Sequence, residues 1–221
     1  MDDDNTLSGS VDVFGDVGIA NGDLKMSGNA MISGIAYLKT GGHFSASGSA
    51  TVTGGVVQSG ASDSILSQGV IDSVAASNAA FALSTSVGYP STINANTSLT
   101  LSTTGNAVLK LTDFKLSSCA ILTLNGTATS SFVINVTNNF NMSGGSKVQL
   151  TGGLTWDNVV FNVRGGGDAK ITGASQLTGI ILATNRTVEL SGSSKVSGEI
   201  IANRVKLSGG SNVTRPALVS P

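Results

Sequence analysis

Few residues in this 221-residue chain could carry catalysis. His43 is the only histidine; general acid–base work needs a partner within hydrogen-bond reach, and His43 reads instead as a surface turn residue. Asp12 and Asp16 lie close in sequence, as do Asp157 and Asp168. Glycoside hydrolysis needs two carboxyl groups about 5 to 10 Å apart, but neither pair sits in a recognisable motif. The run Arg164-Gly165-Gly166-Gly167-Asp168 is glycine-rich, yet it lacks the Lys-Ser/Thr end of a phosphate loop. Nor is it the Gly-Asp nonapeptide of calcium solenoids; it reads as a corner. Cys119 is the only cysteine, so no intrachain disulfide can form. No basic pair flanks it to activate a thiolate, and it reads as a small buried apolar residue. The expectation is a non-enzymatic protein with no metal and no cofactor.

What recurs instead is the small hydroxyl. Ser33, Thr53, Thr151, Thr178 and Ser197 each stand immediately before a glycine. A second row comprises Ser27, Ser47, Ser143, Thr172, Ser191 and Ser208. Rows of this kind suit contact with an extended surface rather than a pocket. Ser and Thr are also ordinary choices at exposed strand and turn positions. Lys25, Lys147, Lys170, Lys195 and Lys206 lie beside the rows, and a strongly hydrated ammonium disturbs an ordered water layer.

The elements that would align these rows are visible as a repeated phrase. It reads LKMSGNAMISG from Leu24 to Gly34, FSASGSATVTG from Phe44 to Gly54 and MSGGSKVQLTG from Met142 to Gly152. It returns as AKITGASQLTG from Ala169, VELSGSSKVSG from Val188 and VKLSGGSNVT from Val205. The closing glycines Gly15, Gly34 and Gly54 are 19 and 20 residues apart, and Gly179 and Gly198 are 19 apart. Such recurrence marks a solenoid, in which no repeat can bury its apolar face alone. Each copy alternates: Val188, Leu190 and Val196 point inward while Glu189, Lys195 and Ser197 point outward, a half-buried strand signal. The 29 glycines serve corners where chains pass closely.

The pattern changes between residues 62 and 85. Glycine thins, and Leu66, Val70, Val74 and Phe81 fall near one helical face with Ile71 and Ala75 beside them. Ser62 or Ser64 can cap the start, and Gly88, Tyr89 and Pro90 end it. The chain thus divides into N-terminal coils (7–60), a helix (62–85) and C-terminal coils (91–214) of one domain. Both ends carry the same phrase, so a single discontinuous stack is expected with the helix alongside; two half-solenoids would expose extra open ends.

Net charge is −1 and only 11% of residues are charged. This argues against nucleic acid, which needs a dense basic patch, and against polybasic membrane docking. No apolar run reaches membrane-spanning length. Met1 followed by Asp2, Asp3 and Asp4 reads as a solvated tail. No leader pattern opens the sequence, and its Ser/Thr/Asn/Gly-rich surface suits a secreted or cell-surface protein.

Five segments between residues 132 and 213, and one near the start, resemble those of a known family. Phe132-Val133-Ile134-Asn135-Val136 is similar to a family strand. Ser146-Lys147-Val148-Gln149-Leu150-Thr151-Gly152-Gly153 is similar to its turn. Asn158–Val163 resembles a second strand, with Phe161 where Trp is usual. Leu177–Ala183 and Gly198–Ala202 resemble two further segments, with Glu199 replacing Arg. Gly15-Asp16-Val17-Gly18 is similar to a turn near the family's start. Together these segments resemble the ice-binding-protein-like family of bacteria and fungi, and the resemblance implies a discontinuous right-handed β-solenoid with one long helix. It admits two roles. The leading expectation is a structural, adhesive or self-assembling surface protein acting through flat faces or solenoid ends, with itself as partner. The alternative is ice binding, with ice as the partner of a hydroxyl row.

Overall fold

The computed structural model describes residues 4–217. Asp2 and Asp3, read above as part of a solvated tail, lie outside the described residues. Asp4 pairs with Lys25.

Short parallel strands form a stack with three faces. Face a runs, in spatial order, through Ile93–Ala95, Phe114–Leu116, Phe140–Met142 and Ala169–Ile171, then residues 188–190 and 204–208, then Asn5–Gly9, Leu24–Gly28 and Phe44–Ala46. Face b runs from Leu99–Ser102 through Ile121–Asn125, Lys147–Thr151, residues 176–178 and 195–197, Asn212–Thr214, Asp12–Phe14 and Met31–Ile32 to Thr51–Val52. Face c holds Asn106–Leu111, Ser131–Val136, Val159–Val163 and residues 180–183 and 199–202. Val17–Ile19, Ala36–Leu38 and Val56–Gln58 continue it as a separate sheet.

The stack is discontinuous. Its last C-terminal coil meets its first N-terminal coil, with Leu7 paired to Leu207 and Val13 to Val213. The alternation seen in the sequence explains the register. Leu24, Val188, Leu190 and Val196 are buried, whereas Lys25 and Lys195 are exposed. Phe114, Phe140 and Phe161 pack ring against ring in the core, with centroids 4.8 to 5.8 Å apart.

Coil length varies more than the glycine spacing implies. Phe114 pairs with Phe140 and Met142 with Ile171, so those coils take 26 and 29 residues. The extra residues form corner loops and leave the strands in register.

The corner between faces a and b is a turn of two left-handed residues. Gly192 and Ser193 have φ of 61° and 62°, and Gly173 and Ala174 both have 61°. Ser118 (54°) and Cys119 (60°) occupy the same turn. Cys119 is therefore exposed at a turn tip rather than buried. Its own neighbours gave no clue, because the strained turn is signalled by the glycines of later coils. One residue further, Ser146, Ser175, Ser194 and Ser211 are fully buried. The last three each donate to a carbonyl three residues back, at 2.6 to 2.7 Å.

One α-helix, α1, spans Gly60–Ala82. It starts two residues earlier than the sequence suggests, because Ser59 is the cap and its Oγ accepts from Ser62 N–H at 3.3 Å. Neither Ser62 nor Ser64 caps it. Asp63 accepts from Thr40 N–H at 2.7 Å, tying the first turn to the N-terminal coils. The helix does not turn an apolar face inward. Its buried residues are Ser62 and Ser77, while Val70, Val74 and Ile71 stay 40%, 42% and 61% exposed. A polar network holds it instead. Asn162, fully buried, donates to Ser77 O (2.9 Å) and Asn135 Oδ1 (2.7 Å) and accepts from Ser77 Oγ (2.7 Å). Asn135 donates to Ala80 O at 2.9 Å. Each orphaned buried group costs about 1–3 kcal/mol. Asn162→Leu is therefore expected to lower unfolding free energy by about 2–4 kcal/mol. Chemical denaturation checks this, and adding Ser77→Ala should recover part of the loss.

Candidate functional site: the open faces of the solenoid

Face c is partly covered by α1, which leaves faces a and b to meet an extended partner. Their outward rows differ in charge. The middle row of face a carries Lys115, Lys170, Glu189, Lys206 and Lys25, with Asn141 and Thr6 between them. Lys170 and Glu189 approach to 3.7 Å. The second hydroxyl row lies on this face, at its corner with face b. Ser143, Thr172, Ser191, Ser208, Ser27 and Ser47 are brought together in one continuous line. Ser117 and Ser8 also belong to it, and reading the repeat from its glycines alone missed both.

The first hydroxyl row lies on face b, where the register divides it. Thr178 pairs with Ser197, Ser197 with Thr214, and Thr214 with Phe14. Ser33 and Thr53 follow beyond Phe14. Thr151 is elsewhere. Lys147 pairs with Gln176, which puts Gln149 beside Thr178, while Thr151 sits beside Asn125. Counting back from the closing glycine misplaces Thr151, because the chain leaves face b three residues after Ser175 but five after Ser146. Thr100 and Thr123 continue the row beyond Gln149.

The completed row therefore reads Thr100, Thr123, Gln149, Thr178, Ser197, Thr214, Phe14, Ser33 and Thr53. It carries no charge, and parallel pairing sets its members about 4.8 Å apart. The amide of Gln149 lies down along the row and donates to Thr123 Oγ1 at 2.9 Å. Phe14 is 43% exposed and interrupts the hydroxyls with an apolar ring. The charges on this face (Lys147, Lys195 and Asp12) stand in the row nearest face a.

The residues considered for catalysis are not assembled. His43 is exposed between the turn at Thr40 and Gly41 and the strand Phe44–Ala46, its backbone N–H donating to Asp23 at 2.9 Å. Asp16 accepts from Ile35 N–H at 2.7 Å, a corner contact. Arg164 stacks on Phe81 and donates to Ser77 O. A Cβ at Gly165 or Gly166 would fall 1.6 or 2.1 Å from a carbonyl oxygen of the adjoining coil, so this glycine run is a close-packed corner. Among the described residues no group of three or more His, Cys, Asp or Glu gathers, and no helix is long and apolar enough to cross a membrane.

The comparisons with known proteins bear on the same architecture. An ice-binding protein from the Antarctic ascomycete Antarctomyces psychrotrophicus superposes with a TM-score of 0.59 at 20% identity, covering 98% of this chain and 96% of its own. A glycosylated ice-binding protein from Arctic yeast gives 0.58 at 16% identity, covering 96% and 93%. A domain of a Shewanella frigidimarina ice-binding protein gives 0.58 at 17%, covering 96% and 94%. At these identities the likeness is one of fold. No curated protein sequence matches. The sequence profile of the ice-binding-like family matches residues 5–213, and with that span covering nearly the whole solenoid, the chain belongs to the ice-binding-like family.

Proposed function

We propose that this protein binds ice, and does so through face b outside the cell. The observation that carries the reading is the uncharged outward row from Thr100 to Thr53 on a parallel sheet, every member of it half-buried or exposed. Short hydroxyls and a methyl group at each Thr can order a water layer while giving up little hydration. A row of ammonium groups cannot, because each holds its own water tightly. That contrast favours face b over face a. Family membership supports the same partner. Nothing in the comparisons favours a structural or adhesive role.

Thermal hysteresis and the shape of single ice crystals test this directly. The expected result is a freezing point held below the melting point, with faceted crystals in dilute protein. Labelled protein should also concentrate in a slowly growing ice hemisphere. Round crystals, no hysteresis at millimolar protein and exclusion from the ice would sink the proposal.

A further inference from the structure

The two ends of the stack are finished differently. Faces a and b each run through nine levels, from the coil of residues 93–111 to the coil of residues 44–58. At the first end, the segment that follows α1 folds over the coil. The Tyr89 hydroxyl donates to Ser102 O at 2.7 Å, and its ring meets Phe132 edge-on at 6.4 Å. Ser86 closes the strand edge, its N–H donating to Val108 O at 2.9 Å and its Oγ accepting from Val108 N–H at 3.0 Å. The inward side chains of this coil are shielded accordingly: Ile93, Leu101, Ala107 and Leu109 are 0 to 8% exposed.

Nothing comparable covers the other end among the described residues. Phe44, Ala46, Val52 and Val56 pair with Leu24, Met26, Ile32 and Ala36, all buried, so they too point into the stack. Yet Phe44 is 37% and Val56 39% exposed, Ala46 is exposed and Val52 is half-buried. The core of the solenoid thus ends on bare apolar side chains. Its backbone is bare as well. Ser47, Thr51 and Thr53 give their N–H groups to the coil before. Ala46 and Val52, one residue off, turn theirs out of the end, because alternate residues of a parallel strand bond to opposite sides.

The chemistry of this coil selects what meets it. Exposed strand edges are normally guarded by Lys or Pro, but residues 44–62 contain no charged residue and no proline. A small apolar ligand would cover the side chains and leave the strand edges unpaired. A protein partner has to offer three short edge strands on the same three-sided outline. The 44–58 coil of a second copy does so. Turned about a two-fold axis across the stack, it lays its own edges antiparallel to these and its Phe44, Val52 and Val56 onto the same apolar end. The first end cannot take that place, because Tyr89 and its segment stand in the way. Head-to-tail stacking is blocked there, and assembly stops at two copies.

We infer that two copies of this chain join end to end through their open 44–58 coils, giving a closed dimer with one core running through both. The contact lies across the stack axis and leaves faces a and b free, so it is independent of ice binding. An end one coil wide is a small interface, and the dimer is expected to dissociate on dilution.

Light scattering coupled to size exclusion, run from micromolar to millimolar protein, tests the inference. The full chain is expected to rise from 22.0 kDa to twice that mass and no further. Val56→Lys puts an ammonium on the open end and should hold the chain as a monomer throughout. Ala46→Lys does the same from an exposed position with less packing to lose, which keeps the test alive where Val56→Lys unsettles the coil. Spin labels then locate the contact in a Cys119→Ser background. Labels on Ser45→Cys, in the open coil, should lie within about 30 Å of each other, and labels on Thr104→Cys, in the other end coil, about 80 Å apart, at ~4.8 Å per level. A chain that stays monomeric at millimolar concentration overturns the inference; uptake of an apolar dye, lost in Val56→Lys, would then make the end a small-molecule site. A dimer that survives both lysine variants, Thr104 labels closer than Ser45 labels, or a mass that climbs past two copies overturns it equally.

Discussion

Gly198→Ala is expected to cost about 3–5 kcal/mol, at the upper end of what single substitutions do, and to lower the melting temperature by roughly 10 °C for a chain of this size. Two independent effects add. Gly198 has φ of 147°, a region essentially reserved for glycine, where a side chain is strained by about 1–3 kcal/mol. Its Cβ would also fall 2.1 Å from Gly179 O. That oxygen belongs to the backbone of the neighbouring coil, and moving it would disturb the pairing of Gly179 with Gly198 and of every level beyond. No flexible side chain can yield instead. Gly69→Ala should shift stability the other way. Gly69 lies inside α1, nothing lies within 4 Å of its added methyl, and alanine is favoured over glycine in a helix by about 0.5–1 kcal/mol. Thermal melts of the two variants check both signs. Equal melting temperatures would mean that glycine serves the corner no better than any other residue.

That contrast marks what can be read from the sequence and what cannot. Strand alternation fixed the inward residues: Val188, Leu190 and Val196 are all buried, because side-chain direction in a strand depends only on parity. The discontinuous order of coils was legible for a similar reason, since the same phrase at both ends can share one stack. Corners were harder. The glycine closing a phrase is Gly152 in one coil and Gly179 in the next, but the first ends a longer strand. The buried corner serine, shared by Ser146, Ser175 and Ser194, is the better phase marker, and aligning on it separates Thr151 from Thr178. The helix misled most. Its apolar residues are spread around the axis, and it is seated by Ser77 against Asn162 and by the Ala80 carbonyl against Asn135. A buried hydrogen-bond network between segments 85 residues apart has no periodicity to betray it. The level that face c lacks among the described residues, between residues 199–202 and Val17–Ile19, was equally invisible, since it becomes apparent only when the faces are counted against one another.

The hydroxyl rows make separable predictions, because they stand on different faces. Thr178→Tyr should abolish ice shaping and thermal hysteresis while leaving the fold intact. The side chain points outward between Gln149 and Ser197, so the core residues Leu177 and Ile181 keep their places. A phenol there stands well above the short hydroxyls on either side. It would hold an ordered water layer away from several levels at once, and contact over area is what a flat face offers. Ser191→Tyr puts the same bulk on the face-a row, in line with Thr172 and Ser208. It should leave activity unchanged if the uncharged face is the one that meets ice. The far-ultraviolet circular dichroism spectrum and melting temperature of each variant guard against a trivial loss through unfolding. If Ser191→Tyr removed activity and Thr178→Tyr did not, the site would move to face a. The row of Lys115, Lys170, Lys206 and Lys25 would then have to be compatible with bound ice, against the hydration argument that selects face b. If neither variant lost activity, the hydroxyl rows would not be the contact, and the exposed ring of Phe14, set among the face-b hydroxyls, would become the next residue to replace.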